Sequence, residues 1–363
     1  MDQSFRSAAP LGQLAWGTFA LALWAAPAHA EVSVAGSGFL GADEWGYWHE
    51  QYGIDLAHAG ETSGQKLALS FHRYALHDEL EGVLPFTGHE PAARLSAYAL
   101  LDDALWLGAG AGLQGTLDVD GVTGELVAAY AIAAGEQHTL TPRVELAREP
   151  LAASPLPLSL GLHSHRVQAA LGWKSDGFIA EGGARIDLWE GDTVPGRARN
   201  SARDRIEPNR ILTGYAYALT DSEGWLDAGL AGKVSAAEHN TLLPTQLAPE
   251  RRYTWYPASA PPLAWETSAI VRVQSKRGEP VEVKLQLGLP LVSREVREWE
   301  GVRVASWGTA PYEAAFDLAW QALEDTRLEL QAKLFIKPWE SWDAIGDGAY
   351  RHASVRVALE HRI

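Results

Sequence analysis

The sequence predicts an all-β protein, a closed antiparallel transmembrane β-barrel of about sixteen strands whose two termini lie on the same side. Three observations carry this prediction. Apolar and polar residues alternate in one segment after another, the connections between segments alternate between short and long, and aromatic residues gather where segments end.

The N-terminal stretch comes first. One cation, Arg6, precedes an apolar run from Leu11 to Ala26, then Pro27 and the small-residue sequence Ala28, His29, Ala30, Glu31. That order of features marks residues 1–30 as a cleaved signal peptide and 31–363 as the exported chain. Pro10, Gly12, Gln13 and Gly17 keep the run short of the roughly 20 apolar residues of a spanning helix. After Glu31 every apolar run is interrupted before the roughly 18 residues that would mark a transmembrane helix. The chain has no cysteine, which excludes disulfides, thiolate metal sites and cysteine nucleophiles. Its formal charge of −16 argues against nucleic acid as a partner.

The strands follow from a two-residue period. In residues 325–337, Leu328, Leu330, Ala332, Leu334 and Ile336 fall on one face and Arg327, Glu329, Gln331 and Lys333 on the other. Residues 281–287 and 353–363 repeat the pattern, His361 being the exception on its apolar face. The same reading places strands at 32–41, 47–60, 65–77, 92–101, 104–116, 122–133, 137–147 and 163–174. Eight more fall at 177–190, 206–219, 224–237, 263–275, 279–292, 310–322, 325–339 and 348–362.

Short turns are expected at 61–64, 101–103, 134–137, 174–177, 221–224, 276–278 and 323–325, and the connections between them are mostly longer and richer in proline, glycine and charge. The short 117–121 connection departs from the alternation. Barrels that cross an outer membrane place their tight turns on the periplasmic side, so an even strand count puts both termini there.

Fifteen tryptophans in a chain with little sign of long amphipathic helices need an interface to occupy. Trp106, Trp173, Phe178, Trp225 and Trp320 sit beside tight turns, while Trp189, Trp265, Trp339 and Tyr350 mark the opposite strand ends. These are the expected aromatic girdles. A soluble β-sandwich gives no reason for such clustering.

The polar faces of the last five strands would line the interior with Glu266, Arg272, Glu282, Lys284, Asp317, Arg327, Glu329, Lys333, Arg356, Glu360 and Arg362. Both signs are interleaved, so these residues serve equally well as a structural ladder or as a solute filter. On the strand at 177–190, Glu181, Arg185 and Asp187 turn inward. The strands at 104–116, 122–133, 163–174 and 206–219 are expected to present mostly glycine and alanine inward, leaving room in the lumen. Tyr253, Trp255 and Tyr256, in the long connection 238–262, form either a platform for sugar rings or part of the outer girdle.

With the leader, the amphipathic strands over 32–363, the turn asymmetry and the alternating last strand, the chain resembles Gram-negative outer-membrane β-barrels of the porin-like class. Members of that class usually end in an aromatic residue, whereas this chain ends in Ile363. Through Tyr253, Thr254, Trp255, Tyr256 and Pro257 leading into a strand, it has a narrower resemblance to exopolysaccharide-export barrels, such as the C-terminal barrel of cellulose-secretion subunits. The helical-repeat scaffold that accompanies those barrels is not in this sequence, so the resemblance implies a separate periplasmic scaffold protein as a partner.

An enzyme needs a constellation. His163, Ser164 and His165 are the best local cluster, yet two histidines on one face make a poor metal site and no third ligand can be assigned. His72 and His77 lie beside Asp78 and Glu79 in a polar stretch. The sequence therefore predicts no cofactor, metal or catalytic residue. It predicts a channel for hydrophilic solutes or a secreted polysaccharide, set among outer-membrane lipid and lipopolysaccharide; the alternatives are a docking barrel that anchors a periplasmic export or electron-transfer complex, and an outer-membrane hydrolase.

Overall fold

The computed structural model describes residues 31–43, 47–76, 86–101, 104–114, 122–135, 137–150, 163–191, 206–221, 225–238, 244–248, 251–253, 263–275, 279–299, 302–308, 310–339 and 348–363. Among them every regular element is a strand. The leader expected at 1–30 lies outside the described residues. The first strands are β1 (Glu31–Asp43), β2 (Tyr47–Ala59), β3 (Ser63–Leu76), β4 (Phe86–Leu101), β5 (Leu105–Gln114), β6 (Val122–Tyr130) and β7 (Ile132–Ala133). There follow β8 (Thr139–Pro150), β9 (His163–Ser175), β10 (Gly177–Gly191), β11 (Ile206–Asp221), β12 (Leu226–Ala237), β13 (Pro244–Ala248) and β14 (Arg251–Tyr253). The chain ends with β15 (Leu263–Gln274), β16 (Val281–Trp299), β17 (Val302–Trp307), β18 (Tyr312–Leu323), β19 (Thr326–Trp339) and β20 (Gly348–Arg362).

Eighteen of these strands form one antiparallel sheet, and β13 and β14 pair only with each other. The sheet closes because β1 pairs with β2 on one side and with β20 on the other, from Ser33 with Arg362 to Asp43 with His352. Around the wall there are sixteen staves. β7 continues β6 beyond Ala131, since both pair with β8, and β17 and β18 pair with successive stretches of β16. Neighbouring staves are consecutive in the chain, so the ladders run unbroken around the wall apart from bulges such as that at Leu291.

Each expected strand is present, and two run further than the apolar alternation extends. β4 begins at Phe86 instead of 92, and β16 reaches Trp299 instead of 292 before folding back into β17. At the end of β16, Ser293 and Glu295 on the inner side and Arg294 on the outer put polar residues on both sides of the strand, so no apolar face is left for periodicity to detect.

The strand ends that flank all seven expected tight turns lie at the end that also holds Glu31 and Arg362. The β9–β10 and β18–β19 turns each close across two residues. Ser175 and Phe178 pair across Asp176 and Gly177, and Gly177 has φ 73°, the left-handed conformation that an Asp-Gly hairpin requires.

Which face is outer follows from exposure and register. On β12, Leu226, Leu230 and Val234 are 45%, 55% and 49% exposed, whereas Asp227 beside them is fully buried. The convex face therefore carries the aliphatic residues, and the concave face encloses the polar ones. β16 holds this division across a bulge, where both Leu291 and Val292 are exposed before Ser293 turns inward at 3%. An outward arginine at the middle of the wall would meet hydrocarbon. Leu230→Arg is expected to destabilise the protein by about 2–4 kcal/mol in reversible urea unfolding from phospholipid bilayers. The same measurement on Ala231→Arg, which faces inward, should give a much smaller change.

Candidate functional site: the inner face

The register places all eleven interior candidates on the concave face: Glu266 and Arg272 on β15, Glu282 and Lys284 on β16, Asp317 on β18, Arg327, Glu329 and Lys333 on β19, and Arg356, Glu360 and Arg362 on β20. Several meet opposite charges across the strands. Lys284 lies 3.9 Å from Asp317 and Glu266 lies 3.9 Å from Lys233. Arg272 spans Asp221 at 3.9 Å and Asp227 at 4.0 Å, and Arg362 reaches Glu31 at 3.6 Å. Arg327 pairs with Glu329 along its own strand at 3.0 Å. Lys333 and Arg356 are exposed and neither makes an ion pair among the described residues. Gln331, the register partner of Arg356, and Ser354, the partner of Lys333, place these two cations diagonally across adjacent strands.

The charge is not confined to this wall. Arg94 of β4 pairs with Glu125 of β6 across the glycines of β5, and Lys66 meets Asp55 at 2.6 Å. On β8, β9 and β10 a denser network forms. Asp187, 2% exposed, accepts a hydrogen bond from Ser164 Oγ at 3.0 Å and another from Arg166 Nε at 3.2 Å. Arg185 Nε lies 2.6 Å from the other Asp187 oxygen, an ion pair whose angle is off that of a hydrogen bond. Arg166 also reaches Glu145 at 3.5 Å, so two arginines and two carboxylates are interlocked.

One step toward the turns, Arg143 donates to Glu181 at 3.3 Å, the Tyr215 hydroxyl donates to Glu181 at 2.8 Å, and Gln168 donates to that hydroxyl at 2.8 Å. Here the expectation of small inward residues fails on three of its four strands. The inner face of β6 carries Glu125, that of β9 carries Ser164, Arg166 and Gln168, and that of β11 carries Ile211, Thr213, Tyr215, Tyr217 and Leu219. The small residues of β11, Gly214, Ala216 and Ala218, face outward instead. Tyr215 and Tyr217 escape a reading by alternation because each is flanked by these small residues, with no aliphatic alternation to fix its parity. On β5 the expectation holds for Gly108, Gly110 and Gly112.

The girdle residues divide. Trp173, with Phe178 packed against it at 5.4 Å, stands outward near the turns with Trp320, and Trp225 beside its own turn is 69% exposed. Trp265 is outward at the opposite end, T-shaped against Trp307 at 5.9 Å. Trp106 is not a girdle residue. It shares the inner face with Gly108, on which its ring lies so closely that an added Cβ would come within 2.5 Å of it, and it stacks with Tyr98 at 6.5 Å. Leu105 and Leu107 take the outer positions to either side. Trp189 and Trp339 lie in β10 and β19 with side chains outside the described residues, as are Trp255, Tyr256 and the side chain of Tyr253.

The nucleophile–base cluster comes apart. Ser164 turns inward onto Asp187 while the neighbouring His165 points outward, so the two cannot act on one substrate. A histidine pair the sequence did not single out lies on the inner face away from the turns: His49 Nε2 is 3.1 Å from His72 Nδ1, and Ser70 Oγ is 3.0 Å from His72 Nε2. Its members are far apart in sequence and meet only through the β2–β3 register. Among the described residues no three histidine or carboxylate groups are arranged to hold a metal ion.

No protein-family model matches the chain, and no curated protein does. Among solved structures, a bacterial polysaccharide outer membrane secretin superimposes with a TM-score of 0.53 at 10% identity, over 92% of this chain and 98% of that one. The outer membrane protein OprD from Pseudomonas aeruginosa matches at 9% identity and a TM-score of 0.44, over 92% and 94%. The likeness is one of fold, the closed antiparallel barrel of porin-like outer-membrane proteins.

The inner pairs differ in how far they are removed from water, and their energies should differ accordingly. Asp187→Ala leaves Arg166 and Arg185 without their shared partner and is expected to cost about 3–5 kcal/mol in chemical unfolding. Asp317→Ala removes a half-exposed pair, and a loss within about 1 kcal/mol is expected.

Proposed function

We propose that the chain is an outer-membrane channel that passes hydrophilic solutes or a secreted polysaccharide through a water-filled interior of mixed charge, without cofactor or catalytic step. The observation that carries this reading is the closed wall of sixteen staves, aliphatic outside and charged inside. Eight staves are filled by their own side chains, whereas sixteen enclose an aqueous passage. Water in that passage also explains how so many ionised groups are tolerated, since half-exposed pairs keep part of their hydration.

Residues 1–30 act as the export leader in this reading, and the termini and tight turns face the periplasm. The fold likeness to a polysaccharide secretin supports a polymer as cargo, delivered by a separate periplasmic scaffold protein. Lys333 and Arg356, both exposed on the inner face and in no ion pair among the described residues, contribute a positive field that meets the cargo.

Planar-bilayer recording of the purified, folded protein tests the proposal. Steps of ion current are expected, and a folded barrel that passes no current would leave a docking role in place of transport. The double variant Lys333→Glu/Arg356→Glu should shift the reversal potential in a salt gradient toward cation selectivity while the barrel remains folded. An unchanged reversal potential would remove these two residues from the conduction path.

A further inference from the structure

Two aromatic rings lie against the inner wall near the tight turns. Gly64 of β3, Tyr98 of β4 and Gly108 of β5 are register partners in one row, so the tyrosine has a glycine on either side. The Tyr98 ring lies over Gly64, where an added Cβ would come within 2.5 Å of it, and the Trp106 ring covers Gly108 equally closely. Glycine has no side chain to hold a ring off the backbone, so each ring rests one face on the wall. The other face is left to the lumen. Gly64 is buried beneath its ring, whereas Tyr98 is 36% exposed and Trp106 is half-buried. The ring planes are 20° from parallel with centroids 6.5 Å apart, too far for either ring to cover the other, so together they form one panel.

Polar groups border this panel. Ser96 is the next inner residue of β4 beyond Tyr98, and its register partner Lys66 is the next inner residue of β3 beyond Gly64. Lys66 stays exposed although it meets Asp55 at 2.6 Å. In the row of Trp106 the next inner residue is Ala129 on β6, and the one after is Arg143 on β8. Arg143 reaches Glu181 through one terminal nitrogen and is itself partly exposed. The small Ala129 keeps the floor between tryptophan and arginine low. A flat apolar surface with hydrogen-bonding groups at its edge complements a ligand that has a flat C–H face and a rim of hydroxyls. A pyranose ring has both. An inorganic ion makes no use of the rings, and a purely apolar solute makes none of the polar border.

We infer that Tyr98 and Trp106 form a sugar-binding subsite in the lumen, at the mouth beside the tight turns, which captures a glycan as it enters. The inference rests on the channel reading above. It adds to that reading a carbohydrate as the cargo and the tight-turn side as the end at which cargo is loaded. The rings take the C–H face of a sugar residue, and Ser96, Lys66 and Arg143 take its hydroxyls.

Cellohexaose, a neutral chain of pyranose rings, is the probe, and polyethylene glycol of similar size, which has no ring, is its control. In planar bilayers, cellohexaose should interrupt the current of the full-length protein for longer than polyethylene glycol does, and at lower concentration from the tight-turn side than from the other. In detergent, saturation-transfer NMR should show contact between the protein and the sugar C–H protons whether or not current flows. Tyr98→Leu/Trp106→Leu keeps apolar bulk over the glycines and removes the flat faces. It should shorten the interruptions about tenfold and weaken the saturation transfer with them. Trp225→Ala, altered outside the wall, should behave as the parent does. If the double variant does not fold, Trp106→Leu alone should shorten the interruptions about threefold. Equal interruptions and equal saturation transfer in the parent and the leucine variants, or no contact with cellohexaose at all, would overturn the subsite and leave the channel in place. Equal potency from the two sides would overturn the loading end. A barrel that passes no current, yet loses saturation transfer in the leucine variants, would lose the channel assignment and keep the subsite.

Discussion

Everything in this molecule depends on the pairing of its first strand with its last. In hydrocarbon no water is available to satisfy backbone groups, and each unsatisfied one costs several kcal/mol. An open sheet of this length would leave two such edges. The ladder from Ser33–Arg362 to Asp43–His352 removes both. The absence of cysteine makes this requirement stricter, because no disulfide can hold the ends together if the ladder does not form.

Closure also creates the two environments between which side chains alternate. Once the wall is a cylinder, a residue facing outward meets lipid and its neighbour meets the interior, so each strand must separate the two classes at every step. The buried Asp187 network on β8, β9 and β10 contrasts with the exposed cations of β19 and β20. One side of the interior is braced by interlocked charges, and the other leaves Lys333 and Arg356 exposed. The formal charge of −16 therefore says little about the interior, where cations and carboxylates are interleaved.

The extent to which this was legible in the sequence varied with the surroundings of each segment. β19 and β20 announced themselves because every second residue is aliphatic, and their inner charges could be named directly. The end of β16 lies beyond the aliphatic band, with polar residues on both faces, and so it resembled a loop. The inner tyrosines of β11 were hidden because the outer positions beside them are small, which removes the contrast that parity reading relies on. Trp106 could have been assigned from Leu105 and Leu107 on either side, but its closeness to a turn made the girdle the simpler assignment.

The central claim is that one face of a closed sheet meets lipid and the other meets water, and it can be measured directly because the chain has no native cysteine. Single cysteines at residues 328 to 333 of β19, spin-labelled in bilayer-reconstituted protein, would be compared for collision with oxygen and with a water-soluble nickel chelate. Positions 328, 330 and 332 should favour oxygen, and positions 329, 331 and 333 should favour the chelate, with strict alternation. Uniform accessibility along the strand, or alternation of the opposite phase, would contradict the account.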